Sequence, residues 1–338
     1  MKARRAAWAF AAGAFVSRVA GAGAPLSYVH TFGDSADPVT TLGWGLAIIS
    51  VIVFAAVFLL LAGGVLRRRP PAAPGALAVR TDAGGLPWIY IGVGITVVVL
   101  AGCAVWTMLT LRATAMPAGA GQLTLRVSGA QWWWRVHYRD DAAARGFETA
   151  NEIHIPVGRP VRVELASEDV IHSFWIPQLA GKIDMIPGQT NVLWLHAARR
   201  GTYRGQCGEF CGAQHAHMAM QVVADEPADF ARWRDNQLRA APAPAPATAQ
   251  AGGAREFVAH CGACHTVRGT PAGGIVGPDL THLMSRNTIA AGALSNTTGN
   301  LAAWIADPGA IKPGTRMPAQ TVSPAELQAI VGFLQTLH

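Results

Sequence analysis

Charge is scarce in this chain. Lys, Arg, Asp and Glu make up 14% of the 338 residues, against an apolar share of 51%. That is lean for a soluble globular protein and points to membrane segments. Two stretches, about 42–66 and about 86–111, have no charge in their interior. Each exceeds the roughly 20 residues that a helix needs to cross a bilayer, a length that disfavours a buried globular helix. Cysteine is also sparse: five residues, as the close pairs Cys207/Cys211 and Cys261/Cys264 and a single Cys103 inside the second apolar run, where it reads as a packing residue. The net charge of +7 comes with no stripe of Lys and Arg interleaved with aromatics, which excludes nucleic acid as a partner.

What is present falls into blocks. Residues 1–24 have a basic start (Lys2, Arg4, Arg5), a short apolar core and a small-residue site ending at Ala24, the pattern of a secretory signal peptide. Residues 25–112 then form a transmembrane hairpin. Its connecting loop carries Arg67, Arg68, Arg69 and Arg80, which the positive-inside rule places in the cytoplasm, so that everything after Leu111 faces outward. From residue 113 to 236 the apolar period becomes two, as in Leu123-Thr124-Leu125-Arg126-Val127 and Val161-Arg162-Val163-Glu164-Leu165, with Gly and Pro between such runs. Many short strands with turn signals predict an all-β sandwich or barrel. Residues 237–252 include an Ala/Pro run that cannot build a core and predict a semi-extended linker. Residues 253–338 form a last domain. It closes on a helix that Ser323, Pro324 and Glu326 would cap, with Leu327, Ile330, Val331, Leu334 and Leu337 on its apolar face.

Between two of the strand-like runs lies Tyr203-Arg204-Gly205-Gln206-Cys207-Gly208-Glu209-Phe210-Cys211-Gly212-Ala213-Gln214-His215-Ala216-His217-Met218. Thiolates and a thioether suit Cu(I), and imidazole suits Cu(II), so the group favours copper in a site that serves both states. A disulfide between Cys207 and Cys211 is the alternative in an oxidising compartment. A Cys2His2 zinc site is another, although it leaves Met218 without a role. Further on, Cys261-Gly262-Ala263-Cys264-His265 is the c-type haem attachment pattern, in which two thiols bond the haem and the His ligates iron. The alternative is a redox dithiol. A downstream Met should be the second axial ligand. Met317, in Gly314-Thr315-Arg316-Met317-Pro318, is favoured over Met284, which follows a helix-like apolar segment.

The loop resembles the G-Q-C-x-E-x-C-G-x-x-H-x-x-M segment of subunit II of the haem–copper cytochrome c oxidases. Ser167-Glu168-Asp169-Val170-Ile171-His172-Ser173-Phe174 resembles that family's S-E-D-V-x-H-S segment. The resemblance implies a binuclear copper centre, CuA, held by His172, Cys207, Cys211, His215, Met218 and the backbone carbonyl of Glu209, with both sulfurs bridging the coppers. His217 is then not a ligand. The resemblance also places a magnesium ion on the Glu209 side chain at the boundary with subunit I, and reads Lys182 to Gly188 as contact with that subunit. It makes the β domain a cupredoxin-like Greek-key sandwich and the last domain an all-α class I cytochrome c, with a covalent haem c on Cys261, Cys264, His265 and Met317. Gly277-Pro278-Asp279-Leu280 matches a haem-packing turn of small cytochromes c.

In Gln131-Trp132-Trp133-Trp134 the first Trp matches the family residue at which electrons arrive from cytochrome c. Neighbours on a strand alternate faces, so at least one of the three rings should be exposed or at an interface. Anchoring at the membrane interface is the other reading of these rings. His137, His154 and His196 read as hydrogen-bonded structural residues.

Taken together, the resemblance implies subunit II of a caa-type oxidase. Electrons would enter at haem c, pass to CuA and go on to haem in subunit I, where oxygen reduction and proton pumping take place. No residue here is catalytic toward oxygen. The implied partners are subunit I, subunit III, the membrane, and an external c-type cytochrome or bc complex as donor. The implied location is the bacterial cytoplasmic membrane, with both domains on the outer, periplasmic face. The family often has a Glu before the second span, near a proton channel. Here the region holds Asp82 and no Glu. A CuA-bearing nitric oxide reductase would share these motifs, and a non-enzymatic membrane-tethered electron carrier or copper-delivery protein is the rival of another class.

Overall fold

The structure, a computed structural model, describes residues 26–67, 85–115, 123–139 and 146–338. The signal peptide, most of the arginine-rich loop and Asp82 lie outside the described residues. Helix α1 (Asp37–Leu66) starts on a Pro in its first turn beside Asp37, whose charge suits the helix N-terminus. Helix α2 (Leu86–Ala115) returns beside it, and the Trp106 ring lies directly against Gly45. Both helices are long and apolar enough to cross a membrane, and among the described residues the most apolar window of each has no buried residue. Side chains such as Phe54, Leu60, Val65 and Trp88 stand outward all along the pair. That much bare apolar surface needs lipid around it.

The period-two text becomes a sandwich of two five-stranded sheets. Strands β1 (Thr124–Ala130), β2 (Trp133–Arg139), β3 (Phe147–Ala150), β5 (Val161–Ser167) and β8 (Asn191–Leu195) form one sheet, in the order β3-β2-β1-β5-β8. The other is β4-β10-β9-β6-β7, built from β4 (Glu152–Pro156), β6 (His172–Trp175), β7 (Ile183–Met185), β9 (Gly201–Cys207) and β10 (Ala219–Asp225). β1 runs parallel to β5, and β10 parallel to β4. These are crossover pairings that a simple meander lacks. The alternating apolar residues of both sheets meet in one core around Trp134, Tyr138, Phe174, Ile153 and Leu165. Helix α3 (Pro227–Gln237) closes one end, with Trp233 against Tyr138, Phe147 and His154.

The last domain is helical: α4 (Ala249–His260), α5 (Thr298–Ala306), the one-turn α6 (Pro308–Ile311) and α7 (Pro324–Leu334), with a minimal hairpin of β11 (Thr288–Ile289) and β12 (Leu294–Ser295). Phe257 of α4 meets Phe333 of α7 at 5.7 Å between ring centroids. The expected cap of α7 is formed in full: the Ser323 hydroxyl accepts from Glu326 N–H, and Glu326 accepts from Ser323 N–H. The linker differs from its sequence reading. The extended segment stops at Thr248, whose hydroxyl accepts from Ala251 N–H, so that 249–252 are the first turn of α4. A capping Thr before an Ala-rich stretch outweighs the two glycines that follow. Ala241, within the linker, is buried and its N–H donates to Arg268 O.

Candidate metal centre and haem pocket

Residues 207–218 form the turn between β9 and β10, and its base is tied where Cys207 N–H donates to Met218 O at 2.9 Å. Gly208 N–H donates to Ser173 O, which fastens the loop to β6 and brings His172 under it. The sequence-predicted residues converge. Cys207 and Cys211 are free thiols with sulfurs 3.8 Å apart, so the disulfide alternative, with its S–S bond near 2.05 Å, is not adopted. His172 Nδ1 lies 3.9 Å from Cys207 Sγ, and His215 Nδ1 lies 3.6 Å from Cys211 Sγ. Met218 Sδ is 3.8 Å from Cys211 Sγ, and the Glu209 carbonyl oxygen is 3.2 Å from Cys207 Sγ. His172, both thiols and Met218 are buried. His217 is exposed, with Nδ1 turned to the Gln214 side-chain oxygen at 2.7 Å.

Two soft thiols, a thioether, two imidazoles and a carbonyl exceed the four ligands of a structural zinc. As a donor set they fit copper. The thiols are unequal. The adjacent Cys211 thiol, helped by His172, holds Cys207 down to about 3 against its burial. Cys211 is pushed up, because a second anion beside the first is unfavourable. Asp169, part of the quoted motif but given no role from sequence, orients the first imidazole. His172 Nε2 lies 2.9 Å from Asp169 Oδ1, a contact that turns Nδ1 toward Cys207. Burial would raise the Asp169 carboxyl, but His172 and the N–H groups of Gln131 and Val170 keep it below the usual range.

Trp132 lies across this loop. Its indole N–H donates to Cys211 O at 2.9 Å, as does the Gln131 side chain. A Cβ at Gly212 would sit 3.2 Å from the Trp132 ring, and Gly212 has φ of 112°, so both space and backbone call for glycine. Trp134 points into the sandwich core, while Trp133 takes the opposite face under Arg135. Trp132 is 8% exposed and lies between the two domains, so the odd ring of the triplet is at an interface within the chain.

A cavity of about 1520 Å³, its open mouth included, lies on the far side of Trp132. Phe257, Leu283, Leu301 and Ile305 supply apolar wall, and Cys261, Cys264, His265 and Met317 line it as well. His265 Nδ1–H donates to Pro278 O at 2.9 Å, which leaves Nε2 as the free lone pair. Burial lowers the His265 pKa, which favours the neutral imidazole that iron ligation requires. A Cβ at Gly277 would come within 2.5 Å of the His265 ring, so any larger residue there would displace it. Met284 packs beside the apolar core of its domain instead, which separates it from the cavity-lining Met317. An apolar slot with a neutral imidazole, two free thiols on one wall and a thioether fits a c-type haem. Of the other histidines, His154 stacks on Trp233 and bonds Asp225 and Glu152. His137 is lowered by burial and by Arg139 and Arg126.

Comparison with known proteins finds relatives of both outer domains. Residues 140–225 match the family model "Cytochrome C oxidase subunit II, periplasmic domain", and 250–338 match "Cytochrome c". Cytochrome c oxidase subunit 2 of Alkalihalophilus pseudofirmus is 34% identical over 299 residues, covering 86% of this chain and 84% of the relative. That of Thermostichus vulcanus is 41% identical over 125 residues, covering 37% and 36%. The solved periplasmic domain of subunit II of cytochrome oxidase from Bradyrhizobium japonicum is 34% identical, covers 36% of this chain and 96% of that one, and superposes with a TM-score of 0.34. With a near full-length relative, two apolar helices, a CuA-type sandwich and a cytochrome c fold in one polypeptide, the chain belongs to the cytochrome c oxidase subunit 2 family, as a membrane-anchored member with a fused cytochrome c domain.

Proposed function

We propose that this chain is the electron-accepting subunit of a caa-type oxidase in a bacterial cytoplasmic membrane. It takes electrons from a c-type cytochrome or bc complex on the outer face and delivers them to subunit I, where oxygen is reduced to water with proton pumping. When bound, a haem c on Cys261, Cys264, His265 and Met317 and a copper pair on His172, Cys207, Glu209 O, Cys211, His215 and Met218 supply one-electron storage at two places in the chain. One observation supports a pair over a single ion: each thiol has its own imidazole. His172 stands beside Cys207 and His215 beside Cys211, with the two sulfurs side by side between them. The half-exposed Glu209 carboxylate and Lys182, next to Gly208, face outward from the loop. Glu209 would hold magnesium there, and this edge would meet subunit I.

The residues that join the sites are those of Trp132. Its N–H is bonded to the backbone of a copper-ligand residue, and its ring borders the haem cavity, so it carries electrons from one site to the other. Holding both ends fixed lowers the reorganisation needed for each transfer. The test is oxygen uptake by the complex carrying Trp132→Ala. Uptake should fall at least about tenfold, a barrier increase of ~1.4 kcal/mol, while haem and copper contents stay at wild-type levels. Wild-type uptake in a fully loaded variant would contradict this route.

A further inference from the structure

The linker alone would let the cytochrome c domain swing, reaching the copper domain as a tethered partner at high effective concentration. The contacts across the seam describe something else. Lys312, at the end of α6, is 2% exposed. Its ammonium donates to Trp132 O at 2.8 Å, to His217 O at 2.9 Å and to Ala290 O at 3.2 Å. These carbonyls belong to the turn between β1 and β2, to the copper loop, and to the turn between β11 and β12. All three protons are used, each on a backbone carbonyl. Burying a lysine this way is costly, and burial pulls its pKa down to about 8. Such a group persists where its carbonyls are held in place for it. Next to it, the Gln214 side chain donates to Pro313 O at 2.9 Å, and Ala219 N–H donates to Ala291 O at 2.9 Å. The second of these bonds joins the backbones of the two domains directly.

We propose that Lys312 is a positioning residue that bolts the haem domain to the copper domain in one fixed geometry, with the Trp132 backbone and the copper loop clamped against the segment leading to Met317. This rests on the two-site reading above and adds that electron transfer within the chain involves no domain motion. Docking through exposed charges weakens as salt screens them, with a Debye length of about 10 Å at 0.1 M and about 3 Å at 1 M. A buried ammonium bonded to carbonyls is shielded from that screening.

The experiment uses the intact oxidase complex with its cofactors bound. The haem is reduced by a light pulse, and the haem-to-copper transfer is followed optically in the wild type and in Lys312→Met. In the wild type the rate should stay constant from about 0.05 to 1 M salt and with added viscogen. In K312M it should drop at least tenfold, while the haem and copper spectra, and the reduction of copper by a small artificial reductant, stay unchanged. A wild-type rate that falls steeply with salt or viscosity, or a K312M rate equal to the wild type, overturns the proposal. If K312M does not assemble, the wild-type salt and viscosity series decides alone. Missing haem or copper in the wild type would instead defeat the two-site reading, so the two failures are distinguishable.

Discussion

Cys207→Ser should eliminate copper from the chain and reduce oxygen uptake by at least about a hundredfold, because a hard, un-ionised hydroxyl replaces a soft thiolate ligand. Cys211 beside it and His172 behind it favour the thiolate form at Cys207. A serine hydroxyl in the same place would stay protonated at neutral pH, and His172 would lose its anionic neighbour. The substitution is nearly isosteric, and the base of the loop is tied by backbone bonds (Cys207 N–H to Met218 O, Gly208 N–H to Ser173 O) that it leaves intact. The sandwich should therefore fold, and the haem should still attach at Cys261 and Cys264. Metal analysis, far-UV circular dichroism and the haem spectrum on one sample check all three. Copper retained at wild-type stoichiometry would contradict the assignment of Cys207.

Met317→Ala should leave haem attached and lower its potential by on the order of 100 mV, since thioether ligation is what raises the potential of a Met/His haem. At 59 mV per tenfold for one electron, a drop of about 120 mV shifts the haem–copper equilibrium about a hundredfold. The direction makes the haem a stronger reductant and a poorer acceptor from its donor. Slower reduction by external cytochrome is therefore the expected symptom, with transfer onward to copper remaining downhill. Met284→Ala is the control. Its side chain packs against the apolar core of the domain, so the potential should hold while the domain loses roughly 1–2 kcal/mol of stability. Redox titration of both variants separates them. A potential that moved with Met284 and held with Met317 would reverse the assignment of the axial ligand.

Much of this was legible in the sequence, because the chemistry is local there. Cys207, Cys211, His215 and Met218 lie within one turn between strands, and Cys261, Cys264 and His265 within one helix end, so spacing alone groups them. The capping box at Ser323 was readable for the same reason. Length and absence of charge marked both apolar helices. What was not legible depends on residues far apart in sequence. Lys312 reads as one more surface cation until the fold brings the carbonyl of Trp132, 180 positions earlier, to its ammonium. Asp169 could be quoted as part of a motif, but its role as the acceptor for His172 required the ring orientation. The helix start at Ala249 was hidden because alanine and proline alternate up to it, and Thr248 alone marks the change. The three tryptophans could be sorted only by parity; which one faces the seam depends on where the second domain docks.

Two thiols, each with its own imidazole, should hold two coppers rather than one ion. Electron paramagnetic resonance of the partly oxidised intact protein, combined with a copper count per haem, tests it most directly. The expected result is two coppers for each haem c, with one unpaired electron shared evenly between both copper nuclei. One copper per haem, zinc in its place, or an electron localised on a single nucleus would contradict it.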